Sequence, residues 1–146
     1  MLGFAVAGMW AYANADHLGV LDDPVVSQAA DDACTSLAAQ VDAAKVPSGS
    51  PPSEFARAIR AQDAAAQGLI RAMEGLGHDR LAGDHPALYW LDDWRTLIQL
   101  REKYAQDLGA GLHPHLKLPT VDGIPISRRM PEVADCQVVQ SLTHLP

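Results

Sequence analysis

Hydrophobic residues recur at intervals of three and four positions in three stretches of the chain, which is the spacing of an amphipathic α-helix. The pattern predicts helices over residues 24–46, 53–76 and 85–108. In the second stretch the alternation of four and three is regular over three heptads, and its one polar member is Gln62. Short connectors join the helices, so we expect neighbours to run antiparallel and to bury their apolar faces in one bundle core.

Residues that commonly begin or end helices flank each of these stretches. Pro24 suits the first turn of the first helix, and Pro47 stops that helix. The glycines of "GLG", residues 75–77, end the second helix in the manner of a left-handed cap. The predicted N-terminal caps of the three helices are, in order, Asp22 or Asp23, Ser50 or Ser53, and Asp84.

The third helix carries the aromatic and charged stretch "WLDDWRTLIQLREKYAQDL", residues 90–108. Its spacing places Arg101 in or beside the packed face of the helix. An unpaired guanidinium is too costly to bury at such a position. We therefore expect a structural ion pair between Arg101 and Asp63, or between Arg101 and an acid of the Asp31–Asp32 pair.

Trp90, Trp94 and Tyr104 share the face of this helix that carries Arg101. One interpretation is that all three pack in the bundle core. The other is that they form a candidate surface for a ligand or a partner protein. A cavity with convergent polar groups would favour binding there, and a filled core would favour packing.

Downstream of the helices, residues 116–127 predict a short β-hairpin around the turn dipeptide Asp122-Gly123. A lone two-stranded ribbon is only marginally stable, so it must lean on the helices. Residues 128–146 predict a tail with one helical turn, which crosses the bundle and is pinned at Cys136.

The first fifteen residues, "MLGFAVAGMWAYANA", contain no charged side chain. As a helix they would span roughly 22 Å, less than the ~30 Å hydrocarbon core of a bilayer. They predict part of a transmembrane or anchor helix, followed by a linker over 16–23 and a helical extracytoplasmic domain over 24–146. The alternatives are a signal peptide, suggested by the small residues of "AYANA", or an apolar helix packed on the core or on a partner. The predicted fold is mainly α: a three-helix antiparallel bundle with an apolar N-terminal membrane helix and a short C-terminal β-hairpin.

Cys34 and Cys136 are the two cysteines of the chain, and no C-x-x-C spacing points to a metal or redox motif. Beside an apolar N-terminus they favour a disulfide bond formed in an oxidising compartment. Such a bond would close a loop of about 100 residues, worth up to ~4.7 kcal/mol in the chain-entropy treatment. The alternative is a pair of buried thiols in a cytosolic protein.

The charged and catalytic residue types do not assemble into a recognisable site. The formal net charge of −7 leaves little to bind a nucleic acid backbone. Asp92 and Asp93 are adjacent in a helix, so their side chains diverge; we expect one structural ion pair rather than an acid/base pair. His113 and His115 are weak candidates for a metal site, because two loop histidines do not complete one. No catalytic motif or cofactor fingerprint is present, so we predict a protein that is not an enzyme and has no cofactor.

The pattern W-L-x-D-W-R at residues 90–95, with R-x-x-Y-A at 101–105, resembles a group of uncharacterised actinobacterial proteins. The similarity extends to Cys34, to the G-x-P-I of residues 123–126 and to Cys136. The resemblance implies one N-terminal membrane helix and a helical extracytoplasmic domain, with no known activity. Its departure lies at the front of the chain, where the expected spanning helix is incomplete.

Two functions are consistent with these features. The first is a membrane-tethered extracytoplasmic accessory or interaction subunit, whose partners are other membrane or extracytoplasmic proteins and the membrane itself. The alternative is a helical bundle that binds a small ligand or a metal through the Trp90, Trp94, Arg101 and Tyr104 region, or through His113 and His115.

Overall fold

A computed structural model describes residues 19–146 of the chain. Its three long helices are α1 (Pro24–Ala43), α2 (Pro52–Glu74) and, after the short helix α3 (His78–Gly83), α4 (Pro86–Gly109). The mainly helical bundle predicted from the hydrophobic pattern is thereby confirmed. The predicted ends differ from the observed ones by at most three residues, the largest difference being that α1 stops at Ala43 and not at residue 46.

α2 lies between α1 and α4 and packs along both of them. Its pairing with α4 is antiparallel, because Ala56 near the start of α2 contacts Gly109 at the end of α4. At the other end of the helix pair, Glu74 forms an ion pair with Arg95. The regular seam of α2 faces the interior, where Ile59, Ala66, Leu69 and Met73 are buried. All six helices of the described residues contribute side chains to the core.

The helix ends match the sequence prediction only in part. Asp23 caps α1 as expected, and its Oδ1 accepts hydrogen bonds from the N–H groups of Val25 and Val26. The caps predicted at Ser50 or Ser53 are wrong, since Pro51 precedes α2 and makes no side-chain bond to it. Gly77 has the left-handed φ of +91° that suits glycine, but α3 follows it where only a connector was expected.

Asp84 was predicted to cap α4, and this prediction is wrong. Its buried carboxylate turns back to the start of α1, where it accepts hydrogen bonds from the N–H of Asp22 at 3.1 Å and of Asp23 at 3.0 Å. The N–H of Leu21 also donates a hydrogen bond to the carbonyl oxygen of Val133 at 3.2 Å. Residues 21–23 are therefore held to the bundle from two sides, an arrangement that we call the entry clamp.

The predicted hairpin is present but shorter than residues 116–127. Strands β1 (Thr120–Val121) and β2 (Ile124–Pro125) pair antiparallel around the expected Asp122-Gly123 turn. Both turn residues have positive φ, 52° and 78°, as such a turn requires. Pro119 and Pro125 lack the backbone N–H that a longer ladder needs, which explains the short strands.

The predicted tail over residues 128–146 is instead largely helical. It contains most of α5 (Ile126–Val133) and all of α6 (Val138–Thr143), and these helices pack on α4 and α1 respectively. Ile126, Met130 and Val133 bury the inner face of α5 at intervals of four and three. Pro131 within α5 interrupts the usual helix signal, so the sequence predicted only one turn there.

The predicted apolar N-terminal segment over residues 1–15, and the linker as far as residue 18, lie outside the described residues. Within residues 19–146, none of the helices combines the length and apolar character needed to cross a membrane.

The entry clamp predicts a specific loss of stability. Asp84→Ala removes the acceptor of two backbone N–H groups, so we expect the free energy of unfolding to fall by about 1–3 kcal/mol. Asp84→Asn keeps one acceptor oxygen and should cost less. Urea denaturation followed by circular dichroism measures both. The control is Asp79→Ala, an exposed acid of α3, which should change stability by less than about 0.5 kcal/mol. Equal losses at Asp84 and Asp79 would contradict a stabilising clamp.

Candidate functional site

A disulfide bond joins Cys34 of α1 to Cys136 between α5 and α6. The Cα atoms are 5.5 Å apart, and both residues are buried. The bridge predicted from the sequence is thus confirmed. The two cysteines are 102 positions apart in the sequence. The bond between them therefore ties the C-terminal segment, residues 126–146, to the first helix of the bundle.

Arg101 of α4 is buried, with only 1% of its surface exposed. Its Nε lies 2.5 Å from Asp63 Oδ1, which is one of the partners expected from the sequence. Nη2 donates to Gln62 Oε1 at 2.7 Å, and Nη1 donates to the carbonyl oxygen of Leu142 in α6. We call these four residues the Arg101 network; it links α2, α4 and α6 at one buried point.

The other proposed partners of Arg101 lie elsewhere. Asp31 and Asp32 are exposed on α1, and Asp32 accepts a hydrogen bond from Gln28 on its own helix. In the sequence Gln62 is the one polar member of the α2 seam, and that polarity is the signal of its place in the network. The Leu142 carbonyl carries no such signal, because a backbone acceptor cannot be recognised from residue type.

Asp63 differs from an ordinary ion-pair carboxylate. Burial raises its pKa from 3.8 to about 6, because the loss of hydration outweighs the attraction of the Arg101 guanidinium. Its Oδ2 is buried and has no hydrogen-bond partner among the described residues. The carboxylate is therefore held by one oxygen, and its charged form costs free energy in the folded protein.

Trp90, Trp94 and Tyr104 of α4 do not form a surface. Trp90 and Trp94 are fully buried, and their rings meet edge to face at 6.0 Å. Trp90 Nε1 donates to the Met130 carbonyl at 3.1 Å, and the buried Tyr104 donates its hydroxyl to the Pro146 carbonyl. The interpretation as a ligand or partner surface is wrong for these three side chains, because all three fill the core, and Trp90 and Tyr104 also hold the C-terminal segment.

Asp92 and Asp93 have separate partners, as their divergence on the helix predicts. The buried Asp93 binds Arg129 of α5 through both carboxylate oxygens, at 2.6 and 2.8 Å from Nη2. Asp92 pairs with Arg95 on the surface at 2.7 Å, although the sequence predicted only one ion pair. The sequence gives no signal for the role of Arg129, because nothing in "SRRM", residues 127–130, distinguishes it from Arg128.

His113 and His115 are exposed in the irregular segment that follows α4. Across residues 19–146, no three or more His, Cys, Asp or Glu side chains cluster closely enough to hold a metal ion. The geometry of the described part therefore gives no support to a metal site at these histidines.

No protein family, curated protein or solved structure matches this chain. The resemblance to actinobacterial membrane-tethered proteins therefore stays a prediction.

The raised pKa of Asp63 predicts how stability depends on pH. Because the folded pKa is higher than the ordinary value, the folded state binds this proton more tightly, and stability falls as pH rises from about 4 to about 6. Asp63→Asn removes this contribution. We expect the wild-type free energy of unfolding, minus that of the variant, to decrease over this range by up to about 3 kcal/mol. Denaturant titrations at several pH values measure it.

Asp42→Asn is the matched control on an exposed carboxylate. The hydrogen bond from Lys45 lowers the pKa of Asp42. The wild-type free energy of unfolding, minus that of Asp42→Asn, should therefore increase as pH rises. If Asp63→Asn does not fold, the neutral double variant Asp63→Asn/Arg101→Met gives the same comparison. A difference at Asp63 that increases with pH would show that the Arg101 charge, and not burial, controls this carboxylate.

Proposed function

We propose that this protein is a non-enzymatic accessory or interaction subunit, held at the membrane by its N-terminal segment with the bundle outside the cytoplasm. The observation that carries the proposal is the buried Cys34–Cys136 disulfide bond. Structural disulfides form and persist in oxidising compartments and are rare in cytosolic proteins. That chemistry supports an extracytoplasmic location.

The N-terminal sequence supplies the argument for a tether. Residues 1–15 carry no charge, and Trp10 and Tyr12 are the aromatic types found where membrane helices meet water. An uncharged stretch with these aromatic residues suits a membrane anchor, and a larger membrane complex would supply helices for it to pack against.

The buried charges favour an interaction role over catalysis. Asp84 holds the entry to α1, Asp93 holds α5, and Arg101 with Asp63 holds α6. Each of these groups is bonded within the domain in a structural role. The net charge of −7 also makes nucleic acid an unsuitable partner.

The alternative, a bundle that binds a small ligand, has less support. Trp90, Trp94 and Tyr104 are buried, and two of them donate to backbone carbonyls of the C-terminal segment. A ligand at these side chains would have to displace that segment.

The test is affinity purification of the full-length protein from detergent-solubilised membranes, with mass spectrometry before and after reduction. We expect recovery in the membrane fraction, a Cys34–Cys136 linked peptide that disappears on reduction, and stoichiometric membrane-protein partners. The matched control is the full-length double variant Phe4→Lys/Val6→Lys, which should leave the membrane fraction, because each charge costs about 2.5–3.5 kcal/mol at the centre of a membrane helix. Recovery from the cytosol with both thiols reduced would overturn the proposal.

A further inference from the structure

We infer that the end of the bundle nearest Gly19 rests on the membrane surface, with the side chain of Tyr89 in the lipid headgroup region. The inference deepens the proposed function and rests on it, since it requires residues 1–15 to be the tether. It concerns the orientation of the domain, which the tether by itself does not determine.

The connection between the apolar segment and the bundle is short. Only Asp16, His17 and Leu18 separate Ala15 from Gly19. Four peptide units reach at most about 14 Å, at no more than ~3.6 Å per residue. Gly19 therefore cannot lie farther than this from the point where the apolar segment ends.

The entry clamp fixes the chain to the bundle on the C-terminal side of Gly19. Asp84 holds the N–H groups of Asp22 and Asp23, and Val133 holds that of Leu21. Asp23 is bonded in addition to Arg80 at 2.8 Å. Because the chain joins the bundle two residues after Gly19, the bundle cannot swing away on a long linker.

The position of Gly19 on the bundle decides which end faces the membrane. Gly19 lines a hollow of about 180 Å³ together with Pro86, Tyr89 and Trp90 at the start of α4. α4 has 24 residues and therefore extends about 36 Å, at 1.5 Å per residue. With Gly19 near the bilayer, the start of α4 is the near end and Gly109 the far end.

The exposed side chains of the near end suit a lipid surface. Tyr89 is 68% exposed, and Val20 and Val25 beside the entry clamp are about half exposed. These are three of the five large hydrophobic side chains that are exposed in residues 19–146. Tyrosine is enriched where membranes meet water, because its ring is apolar and its hydroxyl is polar.

The test compares two labelled positions in the full-length protein. Tyr89→Cys and Leu112→Cys each receive a nitroxide label, in phosphatidylcholine and phosphatidylglycerol vesicles. Leu112 is the matched control: it is 56% exposed and follows the far end of α4. The native cysteines are bonded to each other, so only the new thiol reacts. Electron paramagnetic resonance then gives the accessibility of each label to oxygen, which dissolves in lipid, and to a water-soluble nickel chelate.

We expect the ratio of oxygen to nickel accessibility to be severalfold higher at position 89 than at position 112. Val25→Cys provides a second reporter at the near end if Tyr89→Cys folds poorly. Equal, water-like ratios at both ends in protein that stays with the vesicles would overturn the orientation and leave the tether intact. Protein that does not bind the vesicles would overturn the tether, and the orientation with it.

Discussion

The rest of this structure depends on one constraint, which is that the guanidinium group of Arg101 is almost entirely removed from water. The side chain of Arg101 can occupy the core only where acceptors surround it, because a buried charge without partners costs several kcal/mol. Its acceptors come from Asp63 and Gln62 on α2 and from the Leu142 carbonyl on α6. The register of α4 against α2, and the docking of the last helix, are thereby coupled at one point.

The C-terminal segment illustrates how weak elements are made stable. Helices of eight and six residues, the lengths of α5 and α6, are too short to persist alone in water. They are held instead by a covalent bond at Cys136, by the Arg129–Asp93 ion pair and by backbone carbonyls that accept from Trp90 and Arg101. Every one of these anchors lies on α1 or α4, so the segment covers the bundle without a core of its own.

The predictable and unpredictable parts of the fold differ in the range of the interactions that define them. Helix periodicity is local, so α1, α2 and α4 could be placed within a few residues. The partner of Arg101 could be narrowed to a few acids, because burial demands a countercharge and few acids lie near a core face. Asp84 was misassigned, because a residue in a good capping position can serve a different helix 60 residues away. Arg129 was missed and only one turn of α5 was predicted, since both depend on contacts with α4 that local patterns do not encode.

The sequence separation of the disulfide has a consequence for how the molecule is made. Protein synthesis proceeds from the N-terminus, so α1, α2 and α4 leave the ribosome before any residue of α5 or α6. Cys34 has no partner until Cys136 has been synthesised, and Arg101 lacks one of its acceptors until Leu142 has been synthesised. A chain that ends before Cys136 consequently keeps a free thiol and an incompletely satisfied buried charge. The closed bridge thus marks a chain that extends at least to Cys136, and under oxidising conditions such chains differ from shorter ones in their thiols.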